Sequence, residues 1–192
     1  MRRFNAYRDN GGWTVIELVI VMVMVGLLVS LVAPRIDTTK YRVESAVQGL
    51  GVTLLAQERL AITKQHDIIL LFDQADNAIR IHEDNNNNAL IDLGERVRRV
   101  PLGEGIVFGR GGASARPMGP GPITFAKRVG GVPALVFHRD GSASEAAGFY
   151  ITSVRAASGT VHATDARAIE LEAATGRASW YRYNGTTWLR AF

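Results

Sequence analysis

From Leu18 to Ala33 the chain contains no charged residue, and Pro34 ends the run. This stretch constrains the fold more than any other. Counted from Trp13 to Ala33 it has the composition of an apolar α-helix about 31 Å long, roughly one bilayer core. The residues ahead of it are short and basic, with Arg2, Arg3 and Arg8 against Asp9. By the positive-inside rule the first residues stay in the cytoplasm and everything after Pro34 is exported. A secretory signal places small residues after its apolar run. Here the small pair, Gly11-Gly12, precedes the run, so a cut there leaves the helix on the mature chain. Glu17 is the one acid near the start of this helix. A carboxylate in an apolar helix costs about 2.5–3.5 kcal/mol at the helix centre, which makes Glu17 a functional candidate.

Gly12, then Trp13-Thr14-Val15-Ile16, then Glu17 as fifth mature residue, then Pro34, resembles the type III signal of type IV pilins and type II secretion pseudopilins. Trp13 stands where that family usually has Phe, and the exchange keeps a large aromatic. The resemblance implies a prepilin peptidase that cuts after Gly12 and N-methylates Trp13. It also implies a filament in which Glu17 pairs with the Trp13 amine of a neighbouring subunit and Pro34 marks a kink.

Beyond Pro34, Ile36, Val43, Val47, Leu50, Leu54 and Ala61 recur at helical spacing, and Arg42, Glu44, Glu58 and Arg59 fall off that face. The pattern predicts one long helix from Trp13 to about Lys64, weakened at Gly49 and Gly51 unless something packs close there. Short alternating runs predict strands at 67–73, 78–83, 96–100, 106–108, 123–125, 134–139, 148–155, 160–163, 168–173 and 177–183. Between them, Asp140-Gly141, Ser158-Gly159, Thr175-Gly176 and Asn184-Gly185 are turn signals. The Gly- and Pro-rich segment 110–122 reads as a mobile surface loop.

The expected class is α+β: a long N-terminal helix, transmembrane then amphipathic, packed on an antiparallel β-sheet domain as in pilins. Four parts follow: a cleaved cytoplasmic leader (1–12), a transmembrane helix and filament core (13–34), an amphipathic helix (35–65) and a periplasmic β-rich domain (66–192). Leu135-Val136-Phe137-His138-Arg139-Asp140-Gly141, Gly148-Phe149-Tyr150-Ile151, Ala168-Ile169-Glu170-Leu171 and Thr175-Gly176-Arg177 are similar to the GspH/FimT family of minor pseudopilins and minor pilins. That resemblance implies a minor pseudopilin of type II protein secretion at the tip of a periplasmic pseudopilus. The alternative is a minor pilin of a type IV pilus contributing to DNA uptake. In either case the protein is a single-pass inner-membrane protein whose partners are the prepilin peptidase and other pseudopilins or pilins.

Two segments carry ligand patterns. Asp84 to Glu95, read as a twelve-residue calcium loop, has oxygen side chains at positions one, three, five, nine and twelve: Asp84, Asn86, Asn88, Asp92 and Glu95. Ca²⁺ is therefore the one candidate cofactor. Ala89 replaces the glycine of position six, and a polar hairpin turn explains the same residues. Near the C-terminus Arg177, Arg182 and Arg190 are interleaved with Trp180, Tyr181, Tyr183 and Trp188, a combination that suits nucleic acid. Strict strand alternation puts Arg177 and Arg182 on opposite faces, and the leader accounts for much of the net charge of +4. Nucleic acid is not favoured for these reasons. Charge is also uneven: 67–95 is mostly acidic, whereas 96–139 is basic apart from Glu104.

Catalysis is not expected. His66, His82, His138 and His162 are scattered, and there is no Gly-x-Ser-x-Gly elbow or phosphate loop ending in Gly-Lys-Ser/Thr. Gly109-Arg110-Gly111-Gly112 lacks the strand and helix that would frame a nucleotide site. The chain has no cysteine, so packing or a bound ion must stabilise it without disulfides.

Overall fold

The computed structural model describes residues 12–32 and 37–191. The chain divides into two compact units, 1–37 and 38–192. In the first, Thr14 starts helix α1 (Val15–Val32) by accepting the Glu17 N–H on its Oγ1 (3.3 Å). That satisfies one of the backbone donors left open at any helix start. Every large apolar side chain from Val15 to Val29 is exposed. Among the described residues no helix is long and apolar enough to cross a membrane. The 18 residues of α1 make about 27 Å, against a hydrocarbon core of about 30 Å.

The single helix expected over 13–64 is two helices. Asp37 and Thr38 belong to neither, and α2 spans Thr39–Lys64. Pro34 falls in the interval between them, outside the described residues. A proline within a helix lacks the N–H for one ladder bond and clashes with the preceding turn. At its far end α2 stops at Gln65, which takes a left-handed conformation.

The second unit lays α2 on two antiparallel five-stranded sheets, where the sequence predicts one. The first has the order β3-β2-β1-β6-β5, with β1 Asp67–Asp73, β2 Ala78–Asp84, β3 Val97–Pro101, β5 Arg128–Val129 and β6 Val132–Phe137. The second has the order β10-β9-β8-β7-β4, with β4 Ile106–Phe108, β7 Gly148–Ser153, β8 Arg167–Leu171, β9 Ala178–Tyr183 and β10 Trp188–Arg190. Of the predicted helix face, Val43, Val47, Leu50, Leu54 and Ala61 are buried in a core shared with both sheets, Gln57 is buried with them, and Ile36 lies outside the described residues. Ile68, Leu70 and Phe72 of β1, Phe149 and Ile151 of β7, and Ile169 of β8 complete this core. The alternate residues of the first sheet, Ile69, Leu71, Ala134 and Val136, form a second small cluster.

Three predicted segments fold differently. Residues 123–125 form a single bridge, Ile123 to Phe149, and not a strand. The strand predicted over 148–155 ends at Ser153, whose hydroxyl caps the short helix α3 (Val154–Ala157) by accepting the Ala156 N–H. Segment 160–163 alternates polar and apolar residues but has no partner strand. It forms a turn leading into a short 3-10 turn, Ala163–Asp165. The 110–122 loop is pinned rather than mobile. The Tyr150 hydroxyl donates to Gly119 O (2.8 Å) and accepts the Arg116 N–H (2.8 Å). Arg110 donates to the carbonyls of Ala113 and Pro120, and Arg116 makes a two-pronged pair with Glu170 (2.6 and 3.0 Å). Burying both faces of β7 requires this cover.

Candidate functional sites

At the N-terminal site Gly12 is exposed, and a Cβ built on it meets nothing. Trp13 is 74% exposed. Among the described residues nothing packs against either of them. Glu17 sits in the first turn of α1, where the positive end of the helix dipole favours a carboxylate. Thr14-Val15-Ile16-Glu17 is also the Ser/Thr-x-x-Glu capping pattern, with Glu17 at its third position, a signal present in the sequence but masked there by the processing motif. Half of that box is formed, by the Glu17 N–H on Thr14 Oγ1. Pro34 lies outside the described residues.

The Asp84–Glu95 loop joins β2 to β3. Asp84, at the end of β2, is fully buried. Its Oδ1 accepts the Asn88 N–H (3.1 Å) and its Oδ2 accepts the Ala89 N–H (2.7 Å). Asn86 Oδ1 accepts the Asn88 N–H (3.1 Å), and Asn88 Oδ1 accepts the Leu90 N–H (2.8 Å). The side-chain amides of Asn86 and Asn88 donate to Asp92 Oδ2 (2.8 and 2.7 Å). Glu95 Oε2 accepts the Asp92 N–H (3.2 Å), while Oε1 is shut off from solvent with no hydrogen-bond partner. Asn87 ties the loop to the sheet by accepting the Asp67 N–H (2.8 Å). Ala89, the residue in the glycine position, has φ 59°, the left-handed conformation that a glycine adopts freely. Among the described residues no three His, Cys, Asp or Glu groups converge as a metal cluster.

His82 stands at the base of this loop. It is buried, and neither ring nitrogen has a partner. Burial pushes its pKa below the ordinary 6.5; Glu95 opposes that shift and Arg80 adds to it. The folded state thus binds this proton less readily than the unfolded chain. Above pH 6.5 the ring is neutral in both states and adds no pH dependence, and stability falls as pH drops from there towards the folded-state value. We expect the difference in melting temperature between pH 7.5 and pH 5 to shrink in His82→Leu. An unchanged difference would show that other groups carry the acid sensitivity.

The structure does not gather the three arginines. Arg182 is opposite Arg167 and Leu189, on the face where Arg167 reaches Glu44 of α2 (3.2 Å). Arg190 is opposite Tyr181 on the other face and donates to Ser179. Arg177 precedes β9, in the turn where its N–H meets Thr175. The aromatics are engaged too: Tyr181 lies under the Arg116 guanidinium at 3.5 Å, and Trp188 packs on Tyr150 and Tyr183.

Sequence reasoning also missed a groove of about 590 Å³ between α2 and β9, lined by Val52, Leu55, Ala178 and Trp180. Trp180 reaches α2 because position 51 has no side chain: a Cβ there would lie 2.8 Å from the indole. The available signal was Val52, Leu55 and Ile62, exposed residues at helical spacing apart from the core face.

No family model matches the chain, and no curated protein does. Among solved structures it is similar to the minor pseudopilin EpsH from the Type 2 Secretion System of Vibrio cholerae. The two are 13% identical over 81% of this chain and 97% of that one, with a TM-score of 0.36. A likeness this slight carries no assignment; the residues themselves must do so.

Proposed function

We propose that the chain is a minor subunit of a pseudopilus, processed after Gly12, held in the inner membrane through its apolar helix, and assembled with other subunits through that helix. The observation that carries the reading is the Gly12-Trp13-Thr14-Val15-Ile16-Glu17 segment opening a helix that is apolar all round. Such a helix is stable only in lipid or against other apolar helices. The α2-on-sheet unit is then the exported part, presented to other minor subunits or to cargo, with no catalysis of its own. Type II secretion is favoured over a type IV pilus. Loss of protein secretion with pili intact in a deletion strain would support that choice, and the reverse would favour the pilus.

Mass spectrometry of membrane-extracted protein tests the reading. The expected N-terminus is methylated Trp13, and an intact Met1 in cells with active prepilin peptidase would sink it. Glu17→Gln separates the two roles of that residue. Glutamine still serves a capping box but cannot pair with an amine as a charge, so processing should persist while assembly fails. Normal assembly of Glu17→Gln would leave capping as the whole role of Glu17.

A further inference from the structure

We infer that the open edge of β3 takes up an extended acidic segment of a partner protein as an added strand, with α2 as the wall beside it. The inference concerns the α2-and-sheet unit alone and stands whether or not the chain assembles into a filament. β3 is the outermost strand of the first sheet, paired with β2 on one side only. The Glu83 N–H donates to Arg96 O (3.1 Å) and the Leu102 N–H to Asn77 O (3.0 Å). Antiparallel partners bond in alternate pairs, so Arg96, Arg98, Val100 and Leu102 turn their main-chain groups to β2. Val97, Arg99 and Pro101 turn theirs outward. Val97 and Arg99 each offer an N–H and a C=O, and Pro101 a C=O only. An extended peptide joins a sheet through such groups.

The gap between β3 and α2 gives the side chains of that strand room. Two hollows follow one another along it, one of about 690 Å³ beside Leu50 and Val100 and one of about 310 Å³ between Leu60 and Arg98. Charge names the occupant. The second hollow is rimmed by Lys64, Arg96 and Arg98, with Glu83 as the one carboxylate among its lining residues. Lys64 and Arg96 share Glu83 at 2.6 and 3.8 Å. Arg98 is exposed and, among the described residues, forms no ion pair. On the opposite face Arg99 already meets Asp76 at 3.8 Å. Carboxylates on the α2 face of an added strand would therefore balance the excess of cations, since opposite charges on neighbouring strands attract. Charge and proline also protect an edge strand against indiscriminate pairing. Here the protection is selective, because a second β3 would set arginine against arginine. The residues outside the described ones are no candidate either, since Arg2, Arg3, Arg8 and Arg35 outweigh Asp9.

The test is fluorescence anisotropy of a labelled seven-residue peptide alternating threonine and glutamate, titrated with the full chain in detergent. We expect binding that the matching threonine–lysine peptide lacks. Arg98→Glu should weaken it at least about tenfold, because like charges would then face each other. Arg177→Glu, the same charge change in the turn before β9, should leave it unchanged. Val97→Pro removes an outward N–H without touching the β2 ladder, at an edge where proline is tolerated, and should weaken binding several-fold. With peptide bound, amide exchange should slow at Val97 and Arg99 and not at Arg98, whose N–H already faces β2. No binding at millimolar peptide would overturn the inference, as would equal binding of the lysine peptide. So would binding that Arg98→Glu and Arg177→Glu weaken equally or not at all, or that Val97→Pro leaves intact. Binding without slowed exchange at Val97 and Arg99 would show adsorption by charge and no added strand. Tighter binding of single-stranded oligothymidylate than of the peptide would assign the basic edge to nucleic acid instead. If Val97→Pro fails to fold, Arg98→Glu and the exchange readout decide.

Discussion

Phe72→Ala should cost about 3–5 kcal/mol, the range for removing a buried phenylalanine. Phe72 is fully buried on β1 of the first sheet. Its ring packs on Phe125 (4.7 Å between centroids), Phe149 (4.9 Å) and, edge-on, Phe108 (6.2 Å). Phe108 and Phe149 belong to β4 and β7 of the second sheet, so this ring bridges the two sheets within their shared core. Alanine there removes both the transfer free energy and the contacts of three rings that cannot all collapse into the gap. A domain of this size has about 5–15 kcal/mol in total, so the loss is a large fraction of it. Denaturant unfolding of the full chain in detergent measures the cost. Tyr41→Ala, at a 75% exposed position, is the reference and should stay within about 0.5 kcal/mol. Equal costs for the two would mean that the sheets do not depend on Phe72.

Elements whose identity lies in local periodicity are legible in the sequence. The α2 core face, the first strand over 67–73 and the strand over 106–108 stand where the pattern puts them. Partnership is not legible. Alternation marks a strand but not its neighbour, so nothing local reveals two sheets. Segment 160–163 alternates well enough yet finds no ladder, and Val161 ends up 88% exposed. The two-residue β5 is too short to show any period, and β10 is visible only through its pairing with β9. For segment 110–122, glycine and proline content suggests mobility, yet the loop is held. The ordering groups lie far away in sequence, at Tyr150 and Glu170, where no window around the loop includes them.

The candidate sites divide in the same way. Residue types and spacings in the loop are legible, including the missing glycine at Ala89, because a donor set is a matter of order along the chain. The orphaned Glu95 oxygen is not, because solvent access is set by the whole fold. Strand parity argues for separating Arg177 from Arg182, although Arg177 proves to lie in the turn before β9 and not on the strand. The register adds Arg190 on the face opposite Arg182. Glu17 shows how one residue can satisfy two readings: a capping box needs only a helix start, whereas an amine partner needs a second chain.

Glycine-to-alanine substitution should have opposite signs at two positions, and Gly148 is the severe one. Gly148 opens β7 opposite Glu170 of β8. A Cβ there would lie 2.1 Å from Ile169 O, 2.6 Å from Met118 Sδ and 3.1 Å from the Glu170 Cα. The methionine could swing away, but the carbonyl belongs to the paired β8 backbone and cannot move without breaking the ladder. Gly148 is also clasped from the other side: its N–H donates to Thr124 Oγ1 (2.9 Å), and its carbonyl accepts the Thr124 N–H (2.9 Å) and hydroxyl (2.8 Å). The strand therefore has no direction in which to yield. Overpacking costs typically about 1–3 kcal/mol, and a clash with paired backbone belongs at the upper end of that range. Gly49 lies within α2 with open space around its Cβ direction, so Gly49→Ala should stabilise by about 0.5–1 kcal/mol through the entropy of the unfolded chain. Thermal melts of the two variants beside the parent decide the matter. Gly148→Ala melting with the parent would mean that β7 and β8 are not packed as closely as this register requires.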